Sequence, residues 1–468
     1  MFYRHIGHAS RITFYVSRLY PLAALLMLLL LFFHKMAFSN FILARGDTFL
    51  YFYPYWEAAA EALRSGRVPL WNPHLFMGAP FLANSQTGFF YPLNWPLWLL
   101  LPPPYAVSAS ILIHVFIAGW GTYLLGRQAL SLSRGAALLA AVLFALGGYL
   151  TAQVEHVNQL QGLAWLPWLL WRLEIRDWRL EIGDWRLFNL RSAAIIGLLL
   201  ALQLLAGHAQ TTFITGVAML LWLPAQLLAT ANSQQPTANS QHVSRFTFYV
   251  LRFFPLFAGI ILALLLTAIQ LLPTYELAQL SSRQGGLLPD EVLSFSLHPL
   301  LLARSLLPGY GQSLFSEYVA FLPLTALVLA MIGAWQWRQR PGALPAIMLV
   351  VAGLLLALGV FNPLNWLIAR LPGFNLFRVP ARWLALYALG MALLAGLGWQ
   401  VVFENWQSRW QAGAAGSEEA QWHPWQVARP LRFALLILLA LIAWSVIAAG
   451  LATFIPVGSE APYETPGL

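Results

Sequence analysis

Long apolar stretches recur along this chain, and they constrain what it can fold into more than any other feature. A helix needs about 20 mostly apolar residues to cross the hydrocarbon core of a bilayer. Such stretches occupy residues 19–38, 105–126, 135–152, 159–172, 192–207, 210–230, 253–276, 318–337, 343–360, 382–403 and 432–454. The sequence therefore predicts an all-α polytopic membrane protein of about 11 transmembrane helices, with 159–172 and 192–207 the shortest. Only 9% of the residues are charged, against about 25% in a soluble domain.

The 21 Trp, 16 Tyr and 30 Phe suit the two membrane interfaces, where amphipathic rings settle at headgroup depth. A net charge of +9 would suggest nucleic acid in a soluble protein, but here it follows topology. With the N-terminus cytoplasmic, inside segments collect 17 of the 26 basic residues, and the acidic residues divide seven inside and ten outside. That asymmetry obeys the positive-inside rule. The basic excess then faces anionic lipid headgroups, and nucleic acid is not a partner. Cysteine is absent, which excludes disulfides, thiolate catalysis and cysteine-based metal sites. Arg4, Arg11 and Arg18 precede the apolar run 21–33 with no small-residue cleavage site after it, the pattern of an uncleaved first span.

The organisation that follows is a cytoplasmic N-terminus (1–18), a first span (19–38), a long outer loop (39–104), a membrane core (105–403), a cytoplasmic connector (404–431), a last span (432–454) and an outer tail (455–468). Two cytoplasmic loops read as low-complexity insertions: Asp-Trp-Arg-Leu occurs at 177–180 and 184–187, and Thr-Ala-Asn-Ser at 230–233 and 237–240. The connector, with Glu418 beside Glu419 among small residues, reads as mobile.

The outer loop is too long for a turn, and loops of that length carry function or are disordered. Its aromatic residues Phe49, Tyr51, Phe52, Tyr53, Tyr55 and Trp56 suit a helix lying in the interface. Pro54 opens that helix and Gly66 stops it. Asp47, a few residues past the first span, is placed to act as a general base on a hydroxyl at bilayer-surface depth. It is equally placed to cap the following helix while pairing with Arg45. Glu57 and Glu61, one turn apart, read as a solvated face.

Further polar groups collect at the outer ends of spans. Glu155, His156 and Asn158 follow the third, and Gly207-His208-Ala209-Gln210 follows the fifth. Each histidine taken singly reads as a hydrogen bonder at a helix end. A divalent metal held by His156, His208 and a carboxylate stays open, although no spacing specifies one, and no other cofactor is called for. Arg283, Arg378 and Arg382 are basic on the side that otherwise sheds positive charge. Their guanidinium forks suit phosphate oxygens, with headgroup snorkelling as the alternative. Glu276, at the outer end of the seventh span, reads as the partner of one of them.

Several blocks together resemble the YfhO-type bacterial membrane proteins of the GT-C glycosyltransferase class. They are Gly46-Asp-Thr-Phe-Leu-Tyr-Phe-Tyr-Pro54, Gly66-Arg-Val-Pro-Leu-Trp-Asn-Pro73 with Met77-Gly-Ala-Pro80, and Tyr91-Pro-Leu-Asn94. Further along come His114 with Gly119, Trp165-Leu-Pro-Trp168, Gly207–Gln210, Leu272–Glu276 and Phe377–Arg382. The resemblance covers nearly the whole chain, and its first and last blocks are the most specific. It implies a GT-C-like membrane enzyme of the bacterial inner membrane that moves a sugar from a polyprenyl-phosphate carrier to an extracytoplasmic envelope glycopolymer, lipid or protein. Asp47 matches the position of that class's catalytic Asp, and the resemblance implies inverting transfer with Asp47 as base. Arg283, Arg378 and Arg382 would bind the donor phosphate, and Glu155, His156, His208 and Glu276 other parts of the substrate. Members of this group often continue into further spans and an outer soluble domain. A transporter or flippase for lipid-linked sugar is the alternative, on the number of spans; a noncatalytic assembly subunit is a third reading. Transporters carry polar groups at mid-membrane, and here only Gln203 and Gln270 are conspicuous there.

Overall fold

A computed structural model of the chain describes residues 19–44, 46–75, 77–173, 185–231, 245–281, 283–308, 314–340, 342–415 and 425–451. Arg45, both predicted termini and most of the two repeat-bearing loops lie outside the described residues. The main helices are α1 (Leu19–Phe32), α2 (Tyr53–Arg64), α3 (Asn94–Leu100), α4 (Pro103–Ala129), α5 (Arg134–Ala145), α6 (Val157–Leu163), α7 (Leu166–Leu173), α8 (Trp185–Leu205), α9 (Ala209–Ala231), α10 (Arg245–Gln279), α11 (Leu302–Leu306), α12 (Leu324–Trp335), α13 (Ala343–Ala357), α14 (Leu384–Ala415) and α15 (Trp425–Leu451). Among the described residues the sheet structure is one two-residue antiparallel ladder, Trp71 opposite Pro80 and Asn72 opposite Ala79.

Among the described residues six stretches are long and apolar enough to cross a bilayer: Pro103–Ala129, Arg134–Glu155, Ala209–Ala229, Phe253–Gln279, Pro380–Gln411 and Ala428–Leu451. Four more apolar helices, Leu19–Phe32, Leu190–Leu205, Leu324–Trp335 and Ala343–Ala357, are shorter. The chain is thus a helical membrane protein; among the described residues six stretches have the length and composition of a span, and the expected count of eleven is not reproduced by that measure. The predicted span 159–172 is instead two short helices, α6 and α7, broken at Ala164–Trp165. Pro167 supplies no N–H and disfavours helical backbone just before it.

The core forms around α14, which packs on α5, α12 and α13. Small residues allow the close approach: a Cβ on Gly398 would stand 1.8 Å from the Leu329 carbonyl oxygen, and one on Gly333 would stand 2.0 Å from that of Leu394. This is the small-residue packing that membrane helices use where no hydrophobic force draws them together. At its far end α14 continues as helix to Ala415, well into the segment read as a mobile connector. There Glu404 accepts hydrogen bonds from Arg340 Nη2 (2.7 Å) and Gln400 Nε2 (2.8 Å).

Three of the six aromatic residues at 49–56 pack inside the protein. Phe52, Tyr55 and Trp56 are buried and Phe49 stays exposed. Trp56 meets Trp98 edge-on at 5.6 Å, and Tyr55 stacks between Tyr51 (4.1 Å) and Phe81 (5.5 Å). The loop is fastened to the bundle through Tyr91. His114 Nδ1 lies 2.7 Å from the Ser110 carbonyl oxygen. A carbonyl only accepts, so Nδ1 carries the proton and Nε2 accepts the Tyr91 hydroxyl at 2.7 Å. Trp165 Nε1 donates to the same hydroxyl at 3.0 Å. Gln161 Nε2 joins Asn94 Oδ1 (2.7 Å) to Ser110 Oγ (2.9 Å). Three blocks far apart in sequence therefore share one buried polar cluster.

Candidate functional site

The loop 39–104 borders a cavity of about 690 Å³, and six of the eight candidate site residues line it: Asp47, His156, His208, Arg283, Arg378 and Arg382. Glu155 and Glu276 are not part of that lining. Glu276 is exposed on α10, while Thr274, two residues earlier, lines the cavity. Residues two apart on a helix do not share a face, so Glu276 is turned away from the arginines it was expected to pair with.

Gly46, Asp47 and Thr48 have distinct jobs. Gly46 has φ +52°, a backbone conformation that favours glycine, and a Cβ there would stand 2.8 Å from Glu155 Oε2 at the end of a flexible side chain. Thr48 is buried and its Oγ1 donates to the Glu155 carbonyl at 3.3 Å. Asp47, between them, keeps its side chain 61% exposed, with Oδ2 3.7 Å from His156 Nε2. It makes no capping hydrogen bond, so the capping role is not the one seen. A single π turn, Thr48–Phe52, follows, an irregularity frequent at functional sites. It turns Tyr51 toward the cavity, where Asn84 Nδ2 donates to its hydroxyl at 2.8 Å.

On the facing wall, sequence reasoning missed Glu317. It is 1% exposed, and one of its oxygens, Oε1, takes both Arg382 Nε (2.8 Å) and Nη2 (2.8 Å). Burial pushes its carboxyl upward, but the Arg382 guanidinium, with His156 and hydrogen bonds from Arg382 and Gln159, holds it below the usual range. Arg382 Nη1 also donates to Gln210 Oε1 (2.7 Å), and Gln210 Nε2 donates to the Arg378 carbonyl (2.7 Å). The Arg382 carbonyl accepts from Tyr149 at 3.0 Å. Arg382 is thereby neutralised and fixed.

Arg283 and Arg378 differ from it. Neither is in an ion pair among the described residues, and both are exposed. Burial, Arg283 and Arg382 press the Arg378 guanidinium below its usual range, with Glu291 opposing. The arginines therefore sense one another, and their wall carries uncompensated positive charge. The Arg378 guanidinium lies 5.8 Å from the centre of the Phe295 ring. Val379, between the two arginines, has φ +68°, a strained conformation for a β-branched residue.

His208 is buried; burial, Arg382 and His156 all push its imidazole well below its usual range, so it is neutral. Gly207 before it has φ +87°, and a Cβ there would stand 2.0 Å from the Ser85 carbonyl oxygen. That contact presses the α8–α9 turn against the outer loop. Among the described residues no three His, Asp or Glu side chains gather closely enough to hold a metal ion. No chemical step is drawn through a metal.

No family model matches the sequence, and no curated protein matches it. Among solved structures, the chain is similar to the Archaeoglobus fulgidus oligosaccharyltransferase in its apo form, with a TM-score of 0.43 and 15% identity. The match covers 96% of this chain and 62% of that one, so the chain spans less than two thirds of that protein's length.

Proposed function

We propose that this chain is a membrane glycosyltransferase that moves a sugar from a polyprenyl-phosphate carrier to an acceptor hydroxyl outside the cytoplasm, with inversion. The Asp47 carboxylate takes the acceptor proton as the acceptor oxygen bonds to the anomeric carbon. The bond from that carbon to the phosphate oxygen breaks, and its electron pair leaves on the lipid phosphate. Arg378 and Arg283 meet the charge developing there, which is where fixed positive groups lower a barrier. Arg382, already paired with Glu317, shapes the wall instead.

The single observation that carries this reading is that an exposed carboxylate and an unpaired arginine couple line one cavity. The resemblance of 46–54 and 377–382 to YfhO-type proteins supports it from sequence. The flippase alternative rests on the number of spans; the two glutamines within them add little to it, since Gln203 Nε2 is bonded to the Gly162 carbonyl and Thr215 Oγ1, and Gln270 Nε2 to the Leu82 carbonyl (each 2.8 Å). The N-terminus is taken as cytoplasmic, the membrane as the bacterial inner one, and the acceptor as an envelope glycopolymer, lipid or protein.

The test is purified Asp47→Asn in detergent or proteoliposomes. Transfer falls by about 10²-fold or more, the scale of a general base, with the helical fold and insertion intact. Wild-type transfer in that variant would sink the assignment.

A further inference from the structure

A second cavity, of about 740 Å³, lies away from the first, between α15 and the wall formed by α12, α13 and α14. Its depth is aliphatic: Leu306, Met331, Ile347, Met391 and Ile437 are among the residues lining it. The cleft is lateral because α15 stands off the bundle. Only 11% of the apolar window of α15 is buried, against 83% for α14. Trp444 Nε1 ties one end of α15 to the Pro299 carbonyl at 2.9 Å, and Phe433 meets Trp335 at 5.7 Å near the other.

The Phe433 end is chemically different from the depth. Arg338 belongs to the lining, with its guanidinium 4.9 Å from the centre of the exposed Trp337 ring. On α15 the cleft is lined by Phe433, Ile437 and Leu441, a four-residue repeat whose next member toward the start of that helix is Arg429. Residues four apart share a helix face, so Arg429 continues that stripe past the apolar part. Both arginines are exposed, and neither is ion-paired among the described residues. An apolar cleft of this kind does not hold water, which needs polar partners. Rings and cations at one end of an aliphatic slot match the interfacial belt and charge of a lipid's own headgroup region.

We infer that this cleft is a binding site for an anionic glycerophospholipid, with one acyl chain in the slot and the phosphate between Arg338 and Arg429. The site is separate from the Asp47 cavity and does not depend on how that cavity is read. It seals α15 to the bundle with a lipid chain where side chains leave a gap.

The test uses the purified full chain and native mass spectrometry with added phosphatidylglycerol, phosphatidylcholine or polyprenyl phosphate, alongside thermal midpoints. Phosphatidylglycerol is expected to bind about tenfold or more tighter than zwitterionic phosphatidylcholine, the size two arginines near an anionic headgroup produce, and to raise the midpoint. The double variant Arg338→Gln/Arg429→Gln changes only surface charge and should bind the two phospholipids within about twofold. Ala334→Trp, which fills the slot, should lose both. Equal binding of the two phospholipids by wild type, an undiminished preference in the double variant, or stronger binding of polyprenyl phosphate would overturn the inference.

Discussion

Replacing Glu317 by alanine leaves the Arg382 guanidinium in place without its carboxylate. The pair is made at 2.8 Å, with the two side chains 1% and 18% exposed. Breaking a buried pair from one side costs about 3–5 kcal/mol, because the surviving charge stays desolvated. Arg382 keeps Gln210 as an acceptor and borders a cavity, so the low end applies. About 3 kcal/mol is roughly a 150-fold change in the folding equilibrium. The internal control is Glu404→Ala, whose pair with Arg340 is as short (2.7 Å) but sits at 46% and 38% exposure. An exposed pair is worth no more than about 1 kcal/mol, so burial, not distance, sets the difference. Acidity gives a second readout. The folded-state pKa of Glu317 is depressed, so its contribution is complete above the ordinary carboxylate range and is lost as pH falls toward the lower folded value. Wild type should lose stability in that window, and Glu317→Ala should lack that component. The assay is the thermal midpoint in detergent against pH. A Glu317→Ala midpoint no lower than that of Glu404→Ala would refute the reasoning.

The remaining predictions concern the same walls. The double variant Arg283→Gln/Arg378→Gln removes two exposed, unpaired cations; its midpoint should match wild type, while transfer falls about 10²-fold, the loss seen when one fixed charge stabiliser is removed. Gly207→Ala forces a methyl toward the Ser85 carbonyl at positive φ, and should cost about 2–3 kcal/mol, read as a lowered midpoint and faster proteolysis in 85–94. Tyr91→Phe leaves His114 Nε2 and Trp165 Nε1 buried without their partner, for a loss of about 1–3 kcal/mol. Tyr53→Phe, whose hydroxyl bonds the Leu43 carbonyl at a half-buried position, should cost less than Tyr91→Phe in the same measurement.

Much of the candidate site was legible as pieces. Asp47, His156, His208, Arg283, Arg378 and Arg382 each stood out as polar groups at the outer ends of apolar stretches, because such groups are conspicuous against so apolar a background. Their convergence on one cavity is a tertiary fact with no local signal. Glu317 was invisible for a related reason: a lone acidic residue in an outer loop looks solvated, and only burial beside Arg382 reveals it. A partial signal was available in its aromatic neighbours Phe315 and Tyr318, which mark a packed loop rather than a wet one. Glu276 failed the other way, since nearness in sequence to Thr274 and Arg283 said nothing about helix face. The fold was legible where apolar length decides, as in α4, α9 and α10. It was not legible where a proline or glycine divides an apolar stretch, as in α6 and α7. In the outer loop, ring composition could not tell a surface anchor from the Trp56–Trp98 and Tyr51–Tyr55–Phe81 stacks.

The central proposal, group transfer at the Asp47 cavity, is tested most directly by the fate of the donor's anomeric centre. The purified chain in proteoliposomes would be given a polyprenyl-phosphate sugar of known configuration and an acceptor, and the product linkage read by NMR. The account predicts a covalent product of inverted configuration, absent with Asp47→Asn. A retained configuration, or sugar lipid moved across the bilayer with no new linkage, would contradict it.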